Sequence, residues 1–254
     1  MRKAAPIGLL TMSLVGAASV ALAAHSAPAS RAASLSQAAT RTARVSSQRY
    51  AFDVRITRSG KPVVMHVHGF STGAAISVSV RMGDQKLPDG TVVPGPDGAA
   101  LIDGPFLYER APSFIVVLGN VHWLRVPIAS AGSDALRSVH DLTPEPLLRL
   151  LGEANAKPTS SSATIFRGTI PYDDPIVTTA LNGVTGGIQF RDLRVVATLG
   201  GDGLVHGIRI SGHTADSSVL FRLDARLFAF GKPVSVTPPA EGTFIDKQLL
   251  SLQE

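Results

Sequence analysis

Cysteine is absent from the 254 residues. That excludes a disulfide framework, thiolate metal sites, a cysteine nucleophile and an acylated N-terminal cysteine. Aromatic residues make up 6 % and charged residues 17 %, too little charge for long solvated helices or a coiled coil. The motifs His-Glu-x-x-His, a phosphate loop and a dinucleotide fingerprint are missing, so the common metalloprotease and nucleotide chemistries have no local signature. Gly69-Phe70-Ser71-Thr72-Gly73 has the spacing Gly-x-Ser-x-Gly, but its Ser71-Thr72-Gly73 triplet reads as a turn. After the N-terminal stretch no segment approaches the ~18 apolar residues of a membrane helix. What the chain does have is 44 % hydrophobic residues, 24 glycines and 17 prolines, enough apolar material for a sizeable core built from short strands and many turns. The formal charge is +5. Without Arg2 and Lys3 it becomes 22 basic against 19 acidic residues, too weak a surplus for nucleic-acid recognition.

Arg2 and Lys3 precede the apolar run Ile7–Val20, followed by Ala21-Leu22-Ala23, a small-x-small pattern. This reads as a secretory signal peptide over residues 1–23, cut before Ala24. Ala24 and His25 occupy the places where a lipoprotein would carry its cysteine, so the expected product is secreted or periplasmic and has no acyl anchor. Residues 24–33, made of Ala, Ser, Pro, His and Arg, read as a flexible leader.

Ser34 and Gln37 have capping-box spacing, and Leu35, Ala38, Ala39, Thr42 and Val45 repeat at helical period, which predicts a helix over 34–46. From there the period becomes two. Strands are predicted near 49–58, 62–70, 75–83, 106–109, 114–118, 121–126, 164–170, 188–199, 204–212, 218–230 and 233–237. Ser59-Gly60, Gly119-Asn120 and Gly200–Gly203 punctuate them as antiparallel hairpins. Thr143 and Pro144 open a leucine-rich helix with Leu147, Leu148, Leu150 and Leu151, and Asp174-Pro175 opens a shorter one closed by Asn182-Gly183. Lys157–Ser162 is the candidate linker, but each flank holds only about half a sheet, which argues for one domain over 34–246 and a tail over 247–254.

Ile76, Val78 and Val80 alternate with Ser77, Ser79 and Arg81, and Leu223, Ala225 and Leu227 with Arg222, Asp224 and Arg226. One face of the sheet is therefore apolar and the other wet. A long one-faced sheet must be covered by helices, by a second sheet or by a ligand, and the predicted helices are few. His66 and His68 lie on one strand face at a spacing some metal sites use, but no third ligand accompanies them, and the expected state is a metal-free exposed pair. Asp173-Asp174 reads as a helix cap rather than a catalytic carboxylate pair. Trp123, the sole tryptophan, follows a tight turn and is expected to direct its ring into the sheet interior.

The order of these segments carries a resemblance. After the capped helix and the meander come Phe106-Leu107-Tyr108-Glu109-Arg110, then Trp123-Leu124-Arg125-Val126 and the Pro146–Leu151 helix. Next are Phe166-Arg167-Gly168-Thr169-Ile170 and Gly201-Asp202-Gly203-Leu204-Val205. The series ends with Phe230-Gly231-Lys232-Pro233-Val234-Ser235-Val236-Thr237-Pro238-Pro239. Across 34–246 this resembles the LppX/LprG-type envelope lipoproteins and, more distantly, the LolA-like lipid carriers, with the missing lipobox cysteine as the departure. The resemblance implies an α+β fold: a U-shaped antiparallel β half-barrel of about eleven strands with helices over the concave face. It also implies a hydrophobic cavity for acyl chains of lipids or lipoglycans, exchange with envelope donor and acceptor proteins, no cofactor and no enzymatic activity. Alternation and the leucine helix nominate Ile76, Val78, Val80, Tyr108, Ile115, Val117, Trp123, Leu147, Leu148, Leu151, Leu193 and Val195 as lining residues. The alternative reading of the same pattern is an extracellular interaction module whose cavity has collapsed.

Overall fold

The computed structural model describes residues 34–86, 89–110, 122–159, 164–171, 177, 180–181, 184–185 and 188–247. The segments expected as signal peptide and leader, the strand expected at 114–118 with Ile115 and Val117, the turn expected at Gly119-Asn120, and Asp173-Asp174 lie outside them.

Ser34 begins helix α1 (Leu35–Ala43) with the predicted capping box: its Oγ accepts from the Gln37 amide at 3.2 Å, and Gln37 Oε1 accepts from the Ser34 amide at 3.2 Å. Strands β1 (Ser47–Arg58) and β2 (Lys61–Thr72) follow, joined through Ser59 and Gly60 at positive φ. Two residues of that hand give the turn a twist matching the flanking strands. The chain continues through β3 (Ala75–Met82), the short pair β4 (Gln85–Lys86) and β5 (Val92–Val93), then β6 (Asp97–Asp103), β7 (Phe106–Arg110) and β8 (Trp123–Pro127). Helices α2 (Ser133–Asp141) and α3 (Pro144–Glu153) come next, and then β9 (Asn155–Pro158) and β10 (Ile165–Ile170). Strands β11 (Arg191–Leu199), β12 (Val205–His213), β13 (Val219–Phe228) and β14 (Phe244–Asp246) complete the described chain.

Twelve of these strands form one sheet in the order β14-β8-β7-β6-β3-β2-β1-β13-β12-β11-β10-β9. Neighbours pair antiparallel except β14, which lies parallel to β8. The sheet is curved and its two edges do not meet, so the fold is the expected α+β half-barrel, with more strands than the sequence pattern resolved. Segment 233–237, expected as a strand, forms no ladder, because Pro233 and the following Pro238-Pro239 remove the donors a ladder needs. Helix α2 was not predicted; Gly132 offers no capping side chain and the helix buries little besides Val139. Thr143 stands at the N-cap of α3 as expected, but its hydroxyl donates to the His140 carbonyl at 2.7 Å instead of capping.

The core lies on one sheet face. Tyr50, Phe52 and Val54 of β1, Leu223 and Leu227 of β13, Ile208 and Ile210 of β12, and Leu193, Val195 and Ala197 of β11 are buried together under α1 and α3. Positions 177, 180, 181, 184 and 185 are helical, and Val177, Ala180, Leu181 and Val184 join the same cluster.

Candidate functional site

The registers fix which nominated residues share a face. Ile76 stands opposite Ser71 and Ile102, and Val78 opposite Gly69 and Ala100. With Val80 they form the helix-side row of β3; Val78 is 2 % exposed, while Ile76 and Val80 are half-buried against the core. Leu193 and Val195 of β11 are buried on the same face, and Leu147, Leu148 and Leu151 of α3 pack down onto it. Eight of the twelve nominated residues therefore converge.

Tyr108 and Trp123 do not. Leu107 pairs with Val126 and both belong to the core, so the alternating positions Tyr108 and Arg125 point away from it, together with Phe106 and Trp123. The expectation that the Trp123 ring enters the interior is corrected: its strand is entered one residue out of the assumed phase, and the ring lies under the Arg110 guanidinium, 5.8 Å from its centroid. On that outward face Phe244 meets Tyr108 edge-on at 5.8 Å. The Arg125 guanidinium sits 4.8 Å from the Phe106 centroid and 4.4 Å from the Phe244 centroid, and is held bidentately by Asp246 at 2.6 and 2.8 Å. That pairing raises the Arg125 pKa and lowers that of Asp246.

At one end of the helix-covered face a cleft of about 320 Å³ opens between the C-terminal end of α1, the start of β1, the β2–β3 hairpin and the α2–α3 junction. Ala43, Val45, Ile76 and Ile102 supply its apolar surface; Gln48, Thr72, His140, Thr143 and Glu145 supply the polar one. Gln48 is 7 % exposed, and its Oε1 is buried without a hydrogen-bond partner among the described residues. An unmet buried acceptor costs free energy, which native folds rarely leave uncompensated. Next to it burial drives the Tyr50 phenol pKa upward, so the hydroxyl stays protonated and donates to the Ser77 carbonyl at 3.3 Å. A lining that is part polar and part apolar, with an unpaired acceptor in it, suits an amphiphile, with its chain toward the core and a hydroxyl or amide donor at Gln48. Gln48 was not among the residues nominated from the sequence, although it occupies the inward phase of Tyr50, Phe52 and Val54, and a polar residue in that series is the legible signal.

His66 and His68 lie on the outward face. His66 Nδ1 is 2.6 Å from Asp53 Oδ1, and His68 Nε2 is 2.8 Å from Ser79 Oγ, each partner belonging to an adjacent strand.

Neither a protein-family model nor a curated protein matches the chain. Solved structures similar to it include LprF from Mycobacterium bovis, at 15 % identity and TM-score 0.41, covering 81 % of this chain and 95 % of that one. Others are a DUF1329 family protein from Desulfovibrio piger, at 11 % identity, TM-score 0.31 and coverage of 79 % and 92 %, and an outer membrane lipoprotein-sorting protein domain from Vibrio parahaemolyticus, at 9 % identity, TM-score 0.32 and the same coverage.

Proposed function

We propose that the protein is an exported, non-enzymatic carrier that holds acyl chains of a lipid or lipoglycan against the apolar face of its half-barrel, between the sheet and helices α1 and α3. The observation that carries this reading is the cleft at Gln48. There the apolar face reaches solvent through Ile76 and Ile102, and an unpaired buried acceptor awaits a donor that the described protein does not supply. Chains entering at Ile76 run next along Val78 and Val80, and α1 and α3 shift outward to admit them toward Leu147, Leu148, Leu151, Leu193 and Val195. Apolar area removed from water contributes ~25 cal/mol per Å², which offsets the helix–sheet packing given up as the helices move. Export follows from the segment at 1–23, and handover requires envelope donor and acceptor proteins. Tyr108 and Trp123, on the outward face, are not part of the lining.

A second reading has its own support. Leu150, Leu151, Leu193, Ile210 and Leu223 are fully buried, a closed packing that suits an extracellular interaction module with no cavity. The two separate in one comparison. Ile76→Trp fills the cleft, and the carrier reading expects it to lose bound lipid while still melting cooperatively; Ser79→Trp, on the outward face, keeps its lipid. Unchanged occupancy in Ile76→Trp overturns the carrier.

A further inference from the structure

The sheet face turned away from the helices is unevenly charged. Over six neighbouring strands, from β1 through β13, β12, β11 and β10 to β9, it carries Arg49, Arg55, Arg226, Arg194, Arg167 and Lys157, all exposed and without a salt bridge among the described residues. The described acidic side chains on that face are Asp53, which takes His66, and Asp224, which is shared by Arg209 and Arg222. One acidic pair, Asp53 with Asp224, and two cationic pairs stand directly opposite across strands, the cationic ones being Arg55 with Arg222 and Arg167 with Lys157. Directly opposed like charges destabilise a sheet, where an acid at either position would stabilise it. The same face also exposes large apolar groups: Phe228 beside Arg49, Leu220 beside Thr57 and Ile165 beside Thr198, at 45 %, 53 % and 37 % exposure.

We infer that this face docks the protein on a membrane surface rich in anionic phospholipid. Neighbouring strands lie ~4.8 Å apart, so the array spans roughly 24 Å as an open sheet face rather than a groove. Phosphate headgroups diffuse laterally and match such a spread of cations without a fixed partner geometry, while Phe228, Leu220 and Ile165 enter the headgroup layer beside them. A folded acidic protein would need its carboxylates placed to fit. The docking stands whether or not the opposite face carries a lipid.

The test is sedimentation of the full exported chain with vesicles of phosphatidylcholine alone or mixed with phosphatidylglycerol. Binding is expected to the mixed vesicles only, weakening as salt rises from about 0.01 to 0.15 M. The triple variant Arg167→Gln, Arg194→Gln, Arg226→Gln, all surface changes, is expected to bind about a hundredfold more weakly. The charge-matched variant Arg44→Gln, Arg137→Gln, Arg149→Gln, at the C-cap of α1 and on α2 and α3, is expected to bind within a fewfold of wild type. Circular dichroism melts confirm that both are folded. Equal binding to neutral vesicles, no binding to mixed ones, or equal losses in the two triple variants would overturn the assignment; the second result would leave an acidic protein as the partner.

Discussion

Thr42 joins two elements through one hydroxyl. Its Oγ1 donates to the Ala38 carbonyl at 2.7 Å and accepts from the Val205 amide at 2.8 Å, fastening the last turn of α1 to the start of β12. Thr42→Val preserves the shape but strands a buried N–H, so urea unfolding should show a loss of about 1–3 kcal/mol, whereas Thr42→Ser should retain most of the stability. Thr42 was legible as a helical inward position, but its partner 163 residues away was not. In the β12–β13 turn the Thr214 hydroxyl and the Ser218 amide and hydroxyl donate to the Asp216 carboxylate, lowering its pKa from 3.8 to about 2. A pKa depressed in the folded state means that stability is fully present above 3.8 and is lost as pH falls toward about 2. Thermal melts across that window should therefore fall less steeply for Asp216→Asn than for wild type. An identical acid slope in the two would refute the linkage.

At the scale of elements, β14 is the least self-sufficient strand of the twelve-stranded sheet. It has three residues and a single described neighbour, and Asp246 on Arg125, with Phe244 beneath the same guanidinium, ties it to the sheet. Arg125→Gln removes the fork and the cation between the rings. Hydrogen exchange at residues 244–246 should accelerate while β1 and β13 keep their protection; unchanged exchange at β14 would show that the latch is dispensable. Elements that announce themselves locally were readable from sequence: α1 by Ser34 and Gln37, the β1–β2 turn by Ser59-Gly60, and β13 by strict alternation. Those that depend on distant partners were not. β14 has too few residues for a period, α2 lacks a capping side chain, and Trp123 was assigned to the wrong face because its neighbours Leu124 and Val126 set the phase only once β7 is paired beside them.

At the scale of the molecule, alternation revealed that one face of a long sheet is apolar and must be covered, and the resemblance implied the α+β half-barrel. Of the eight nominated residues on that face, Ile76, Val78, Val80, Leu193 and Val195 follow from the same rule, and Leu147, Leu148 and Leu151 from the leucine-rich helix. Alternation does not encode the distance between sheet and helices, so neither the cleft nor the unpaired acceptor at Gln48 could be located beforehand, and the charge asymmetry of the outer face emerged only when six strands were set side by side. The central claim is that the apolar face holds acyl chains, and native mass spectrometry of the protein isolated from its own exporting cells tests it most directly. The account predicts a population heavier than the polypeptide by the mass of a lipid, released on activation and recovered in an organic extract. A single bare polypeptide mass under gentle conditions, with an extract free of lipid, would contradict it.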